Sequence, residues 1–101
     1  MSAPPRKRAL VRFRLYVADN TPNSSQALAN LTAMCQAHLP DRHVIEVVDV
    51  FQDPEVALEE SIFMTPTLVK THPPPVTRIV GTLGNERQVM QALDLTEART
   101  T

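Results

Sequence analysis

Apolar and polar residues alternate along the start of the chain. In residues 9–17, ALVRFRLYV, the odd positions from Val11 onward are apolar, and Arg12, Arg14 and Tyr16 occupy the even positions. A period of two places these sets on opposite faces of a β-strand. The pattern predicts a half-buried strand whose basic face meets solvent at the edge of a sheet.

A helical period follows after the turn ADNTPNSS. Thr21 can cap a helix that has Pro22 at its first position, where the missing N–H costs little. The helix is predicted to run to about His38, where Leu39-Pro40 ends it. Its apolar positions are spaced by three, four and seven, as one buried face requires. They are Leu28, Leu31, Met34 and Cys35.

The next apolar segment, HVIEVVDV at 43–50, is rich in β-branched residues and nearly continuous. Such a run predicts a central strand that is covered on both faces. Asp53-Pro54 then repeats the signature of a cap followed by proline, and it predicts a short helix to about Glu60.

The C-terminal part predicts a hairpin and a last helix. TLVK (67–70) and TRIV (77–80) are short strands, and Asn85 with Gln88 resembles a capping box. Val89, Met90 and Leu93 would face inward. The predicted order is β-α-β-α-β-β-α, an α/β domain over 9–95 with a basic tail at 1–8 and a second tail at 96–101.

Composition narrows the function classes. The chain has 101 residues and a formal charge of −1, which disfavours a general nucleic-acid binder, and no apolar run reaches the ~18 residues of a membrane span. The N-terminus lacks an apolar signal core, so we expect a cytoplasmic protein. Cys35 is the single cysteine, which excludes an internal disulfide and suits a reducing compartment.

Thr65-Pro66-Thr67 resembles the proline loop that faces the redox centre of thioredoxin-like domains. The place of the two redox cysteines reads Asn20-Thr21-Pro22-Asn23 here, so dithiol exchange at this place is excluded. Cys35 is predicted to be a small buried hydrophobe. With His38 it supplies too few ligands for a tetrahedral metal site, and we predict neither a metal nor a cofactor.

One enzymatic alternative stays open. Some glutathione-using relatives of the thioredoxin fold employ serine where thioredoxin has cysteine, and Ser24 lies in the first helical turn, where N–H groups favour an anion. A glutathione-dependent enzyme that acts through Ser24 is therefore the alternative to a non-enzymatic protein.

Three longer stretches together resemble the KaiB family of circadian clock proteins. They are LYVADNTPNSSQAL, VIEVVDVFQDPEVALEESIFMTPTLVK and PPPVTRIVGTLGNERQVMQALDL. The resemblance runs from about Arg12 to Leu95. The N-terminal domain of a clock histidine kinase is similar, so a sensor domain separated from such a kinase is a further possibility.

The resemblance implies a non-enzymatic regulator that binds the N-terminal ATPase ring of a KaiC-type protein, with a KaiA-like protein or a histidine kinase as further partners. It also implies two folds: a tetrameric ground state, β-α-β-β-α-α-β, and a thioredoxin-like monomer that binds KaiC. The half beyond about Val50 is the part that would refold, so Pro66, Pro73, Pro74 and Pro75 are the conformational candidates.

The same resemblance suggests Arg14, Lys70, Arg78 and Asp94 as partner contacts. The three basic residues stand where the family has basic residues that would meet an acidic surface on KaiC. Other basic positions of the family are occupied by Gln26, Glu46 and Ser61 here, and its Arg-Arg pair is Thr77-Arg78. These departures predict weaker electrostatic steering toward an acidic partner.

Overall fold

The computed structural model describes residues 10–19 and 21–93. The elements are β1 (Val11–Val17), α1 (Pro22–His38), β2 (His43–Asp49), α2 (Pro54–Glu59), β3 (Thr67–His72), β4 (Thr77–Val80) and α3 (Glu86–Ala92). The predicted order β-α-β-α-β-β-α is confirmed. The two predicted tails and Asp94 lie outside the described residues.

The four strands form one sheet in the order β2-β1-β3-β4. β1 pairs in parallel with β2, from Val11 with His43 to Val17 with Asp49. β3 is antiparallel to both β1 and β4. The parallel β1-α1-β2 unit is joined in this way to a β3-β4 hairpin.

Two predicted strand positions are wrong. β1, expected at an edge, is an inner strand, and β2, expected at the centre, is an edge strand. Val44 and Val47 of β2 are 39% and 46% exposed, whereas Tyr16 of β1 is only 1% exposed. A short apolar run does not show whether other strands will lie on one side of it or on both. On β1, the face that carries the two arginines is buried only at its Tyr16 end, while Arg12 at the other end is exposed.

α1 and α3 cover one face of the sheet and enclose the main core. Val11, Phe13, Leu15 and Val17 of β1 pack there with Leu68 of β3. The helices contribute Ala27, Leu31, Met34 and Cys35 from α1, and Val89 and Met90 from α3, with Leu93 just beyond it. The predicted inward faces of both helices are confirmed, except that Leu28 is only partly buried.

A smaller apolar cluster lies on the opposite face. Tyr16, Val48 and Val69 are buried there, and the partly buried Val56 of α2 and Ile62 pack against them. Because α2 covers this side, the domain has three layers, with the sheet between α1 and α3 on one side and α2 on the other.

The helix caps agree only in part with the sequence. The Thr21 hydroxyl accepts from the Ser24 N–H (3.4 Å), and Asn85 Oδ1 accepts from the Gln88 N–H (3.1 Å), as predicted. Asp53 precedes α2 but makes no side-chain cap bond. Its backbone, at φ −127° and ψ 64°, departs from the extended geometry in which a cap side chain turns back over the first helical turn.

Candidate partner-binding surface

Arg14 lies on β1, on the side of the sheet that carries α2. Its Nε pairs with Glu46 Oε1 of β2 at 3.0 Å, and its Nη1 donates to the Tyr16 hydroxyl at 3.3 Å. The hydrogen bond to Tyr16, followed by that to Glu46, raises the pKa of Arg14 above its ordinary value. The guanidinium is half-buried and held by these two neighbours. Its positive charge therefore lies on the surface directly beside the negative charge of Glu46.

Arg78 lies on the same side of the sheet as Arg14, two strands away. Val69 of β3 pairs with Arg14 on one side and with Arg78 on the other. Neighbouring strands are about 4.8 Å apart, which places the Arg14 and Arg78 backbones roughly 10 Å apart on one face. Sequence reasoning could not show that these two residues face the same way.

The guanidinium of Arg78 forms hydrogen bonds within the protein. It donates to the carbonyl of Ser61 at 3.2 Å and also to the carbonyl of Glu60. Both carbonyls lie just beyond the last residue of α2. A cation at this point complements the negative end of the helix dipole and the last unpaired carbonyl groups.

Lys70 takes a different position from the two arginines. It follows Val69 on β3, so its side chain leaves the sheet on the opposite face, and it is 2% exposed. Its ammonium donates to the carbonyl of Pro73 at 2.8 Å. In this conformation Lys70 links β3 to the proline segment and does not present its charge to solvent.

The proline loop lies at one end of the sheet, beside the start of β3. Pro66 is buried, and its carbonyl accepts from the Gly81 N–H at 2.9 Å. The Thr67 hydroxyl donates to the carbonyl of Met64 at 2.6 Å. Pro74 and Pro75 are exposed and Pro73 is half-buried. The Thr65–Pro66, His72–Pro73 and Pro74–Pro75 peptide bonds are cis.

At the start of α1, where a thioredoxin has its cysteines, the hydroxyl groups of Thr21 and Ser24 accept hydrogen bonds from main-chain N–H groups. Ser24 is buried, and its hydroxyl oxygen accepts from the Ala18 N–H at 3.1 Å. Thr21 caps α1, and Asn23 is exposed in its first turn. The Ser24 hydroxyl is therefore turned toward the backbone of the β1–α1 turn, where it is poorly placed to act as a nucleophile.

Cys35 is the fully buried residue that the sequence predicted. It lies in the main core, and burial raises the pKa of its thiol to about 12. The thiolate, which is the reactive form, is therefore disfavoured. Within residues 10–19 and 21–93, no group of three His, Cys, Asp or Glu side chains is arranged to hold a metal ion, and no helix could span a membrane.

Sequence reasoning missed one surface feature. Several large apolar side chains after β2 and around α2 are strongly exposed, namely Phe51, Leu58, Phe63 and Met64. A helix of six residues has room for one inward face, which Val56 and Ala57 occupy, so Leu58 points outward. The sequence carried a signal for this feature, because the short predicted helix and the segment after it contain more apolar residues than one inward face can bury.

Solved structures similar to this fold include thioredoxins. Chloroplastic thioredoxin z matches with a TM-score of 0.70 and 17% identity, over 89% of this chain and 81% of that chain. Mitochondrial thioredoxin 3 of Saccharomyces cerevisiae matches with a TM-score of 0.68 and 20% identity, over 88% and 82%. The N-terminal domain of Synechococcus elongatus SasA matches with a TM-score of 0.62 and 25% identity, over 88% of each chain. The fold is thioredoxin-like.

Sequence comparison is more specific. The chain is 44% identical to the circadian clock protein KaiB3 of Synechocystis, over 82% of this chain and 81% of that protein. It is also 44% identical to the circadian clock oscillator protein KaiB of Thermostichus vulcanus, over 92% of this chain and 84% of that protein. The KaiB domain profile matches residues 14–95. On these grounds the chain, a thioredoxin-like domain without a cysteine pair, belongs to the KaiB family.

Proposed function

We propose that this protein is a non-enzymatic timing regulator that binds the N-terminal ATPase ring of a KaiC-type protein and thereby changes its phosphorylation state. The observation that carries the proposal is the 44% identity to KaiB proteins over most of the chain. The buried, backbone-bonded Ser24 hydroxyl and the buried Cys35 thiol argue for binding rather than catalysis. A KaiA-like protein and a histidine kinase are further proposed partners.

Arg14 and Arg78 are proposed as contacts because they share one face of the sheet. Asp94 remains a proposed contact from the sequence. Lys70 is proposed to act indirectly, since its buried ammonium bonds the Pro73 carbonyl. In this proposal Lys70 shapes the segment with Pro73, Pro74 and Pro75, while the two arginines approach the partner.

The proposal includes two folds and a change of assembly. The thioredoxin-like fold corresponds to the monomer that the family resemblance assigns to KaiC binding, and a tetramer with a different C-terminal half is its proposed counterpart. A gap of a few kcal/mol between two packings is enough for such a switch. Light scattering over a range of concentrations tests the assembly, and a strictly monomeric species throughout would contradict it.

Size-exclusion chromatography tests the binding. The KaiC-type protein of the same organism is mixed with this chain at micromolar concentration, with ATP, for several hours. We expect co-elution with the ATPase ring, weakened by Arg14→Glu/Arg78→Glu and preserved in Arg87→Glu, which reverses an exposed charge on α3. Circular dichroism checks that each variant is folded. The absence of any wild-type complex would refute the proposal.

A further inference from the structure

We propose that His38 and Glu86 form a pH-sensitive latch that holds the last helix, α3, against α1 and tightens on acidification. We call this pair of side chains the latch. His38 is the last residue of α1, and Glu86, 48 positions later, is the first residue of α3. The latch belongs to the chain by itself, so it stands or falls independently of the proposed function.

The two side chains of the latch are in direct contact. Nε2 of His38 lies 2.5 Å from Oε2 of Glu86. The imidazole is 25% exposed and the carboxylate 52%, so the contact lies at the rim of the interface between the helices, where both groups can exchange protons with solvent. His38 also stands in the last turn of α1, where the helix dipole favours a positive charge. Both features favour the protonated ring.

α3 depends on contacts of this kind because it is short and does not fill the space beside α1. A helix of seven residues is well below the length of about 12 residues that makes an isolated helix even marginally stable. A cavity of about 100 Å³ lies between α1 and the start of α3, and Leu31, Met34, Val89 and Glu86 are among the residues that line it. Apolar packing is therefore incomplete next to the latch, and polar contacts carry more of the attachment there.

The loop that leads into α3 adds to this dependence. Leu83 is 8% exposed and has φ 63°, a left-handed backbone that leucine rarely adopts and that costs free energy. Asn30 of α1 donates to the carbonyl of Thr82 at 2.7 Å and so holds the loop just before Leu83. The latch holds the chain just after it, at Glu86. A weaker latch therefore leaves the strained loop and the first turn of α3 less firmly attached to α1.

The strength of the latch changes with pH through the charge of His38. Between about pH 6 and about pH 8 a histidine loses its charge while a glutamate stays ionised. A neutral ring can still donate through Nε2–H, but a hydrogen bond between two charged groups is stronger. Because the native pair holds the proton of His38 more tightly than the unfolded chain does, this stabilisation is fully present below about pH 6.5 and is lost as pH rises beyond that value. Acidification from pH 8 to pH 6 should therefore tighten α3 against α1.

Other titratable side chains belong to α1 and to the elements packed around it. They are Cys35 on α1, Asp41 and Arg42 in the turn after it, His43 on β2, Lys70 and His72 on β3, and Arg87 on α3. The loop at 81–85 contains no titratable residue. Nδ1 of His43 lies 2.7 Å from the carbonyl oxygen of Leu39, and His72 is exposed. These two histidines also titrate near neutral pH, so the experiment has to distinguish them from His38.

Hydrogen exchange read by nuclear magnetic resonance, at about pH 6 and about pH 8, measures how firmly α3 is attached. The readout is the protection factor of the Val89 amide, which donates to the Asn85 carbonyl at 3.0 Å in the first turn of α3. The protection factor removes the pH dependence of the exchange chemistry itself. We expect it to be about two- to fivefold higher at pH 6 than at pH 8 in the wild type, the size that a partly exposed ion pair allows.

Four variants assign the effect to the latch. His38→Gln and Glu86→Gln keep a side chain that can hydrogen-bond but remove one charge, so both should lose the difference between the two pH values. His38→Lys carries a charge that does not titrate in this range and should keep the higher protection at both. The control His72→Gln, at an exposed position of β3, should behave as the wild type. Equal protection at both pH values in the wild type overturns the inference. So does a pH dependence that survives in any of the first three variants or disappears in His72→Gln.

Discussion

The ammonium of Lys70 donates a hydrogen bond to the main-chain carbonyl of Pro73 across 2.8 Å, although Lys70 is only 2% exposed. A buried charge of this kind is costly unless it is paired and hydrogen-bonded. The bond closes the end of β3 against the first residue of the triple proline. Lys70 therefore links the sheet to the triple-proline segment, which the family resemblance suggests as a conformational candidate.

Lys70→Met should lower the stability of the thioredoxin-like fold. Methionine fills a similar volume but leaves the Pro73 carbonyl without this donor, so we expect the free energy of unfolding to fall by about 1–3 kcal/mol. Urea unfolding followed by circular dichroism measures the change. Gln36→Ala, at an exposed position of α1, is the control and should stay within about 0.5 kcal/mol of the wild type. Unchanged stability combined with loss of KaiC binding would show instead that Lys70 touches the partner.

Ser24→Ala tests the enzymatic alternative against a structural role. The substitution removes the acceptor of the Ala18 N–H, so the free energy of unfolding should fall by about 1–3 kcal/mol. The neighbouring Ser25→Ala, whose side chain is exposed, is a matched control and should change stability little. Glutathione-conjugation and disulfide-reduction assays should give the same background for all three proteins. Activity in the wild type that disappears only in Ser24→Ala would reverse the assignment.

The sequence predicted the elements well because each had a local cause. α1 begins at Pro22 and ends before Leu39-Pro40, and Asn85 caps the start of α3. Each of these limits is set by residues within a few positions of the helix end. The edge position of β2 depends instead on which strand β3 joins, and local pattern carries little information on that choice.

The candidate site shows the same division between local and long-range information. Family resemblance singled out Arg14, Lys70 and Arg78 without their orientation. Strand alternation, once the β1–β3–β4 register is known, puts Lys70 on the face opposite the two arginines. The bonds from Arg78 to the carbonyls beyond α2 join residues 17 and 18 positions apart, too distant for a local pattern to indicate.

Arg78→Lys separates the two roles of Arg78. Lysine keeps the positive charge but lacks the planar fork that reaches two carbonyls at once. We expect the Ile62 amide, which closes the turn after α2, to exchange its hydrogen several-fold faster, with a change in global stability below about 1 kcal/mol. Hydrogen exchange read by nuclear magnetic resonance measures this. Arg87→Lys on α3 should leave the Ile62 amide unchanged, and an equal effect in both variants would contradict a local role for Arg78.

Cys35→Ala should remove a specific dependence of stability on alkaline pH. Burial raises the pKa of the thiol from its ordinary 9.0 to about 12, so the native state holds this proton more tightly than the unfolded chain does. The resulting stability is fully present below about pH 9 and is lost as pH rises toward 12; between about pH 8 and pH 10 the loss is about 1.4 kcal/mol. Urea unfolding at both pH values should show this extra loss in the wild type and not in Cys35→Ala. The contributions of the other titrating groups are the same in both proteins, so they cancel in the comparison. Parallel slopes for the two proteins, or rapid labelling of the native thiol by iodoacetamide near pH 8, would contradict the buried, protonated state of Cys35.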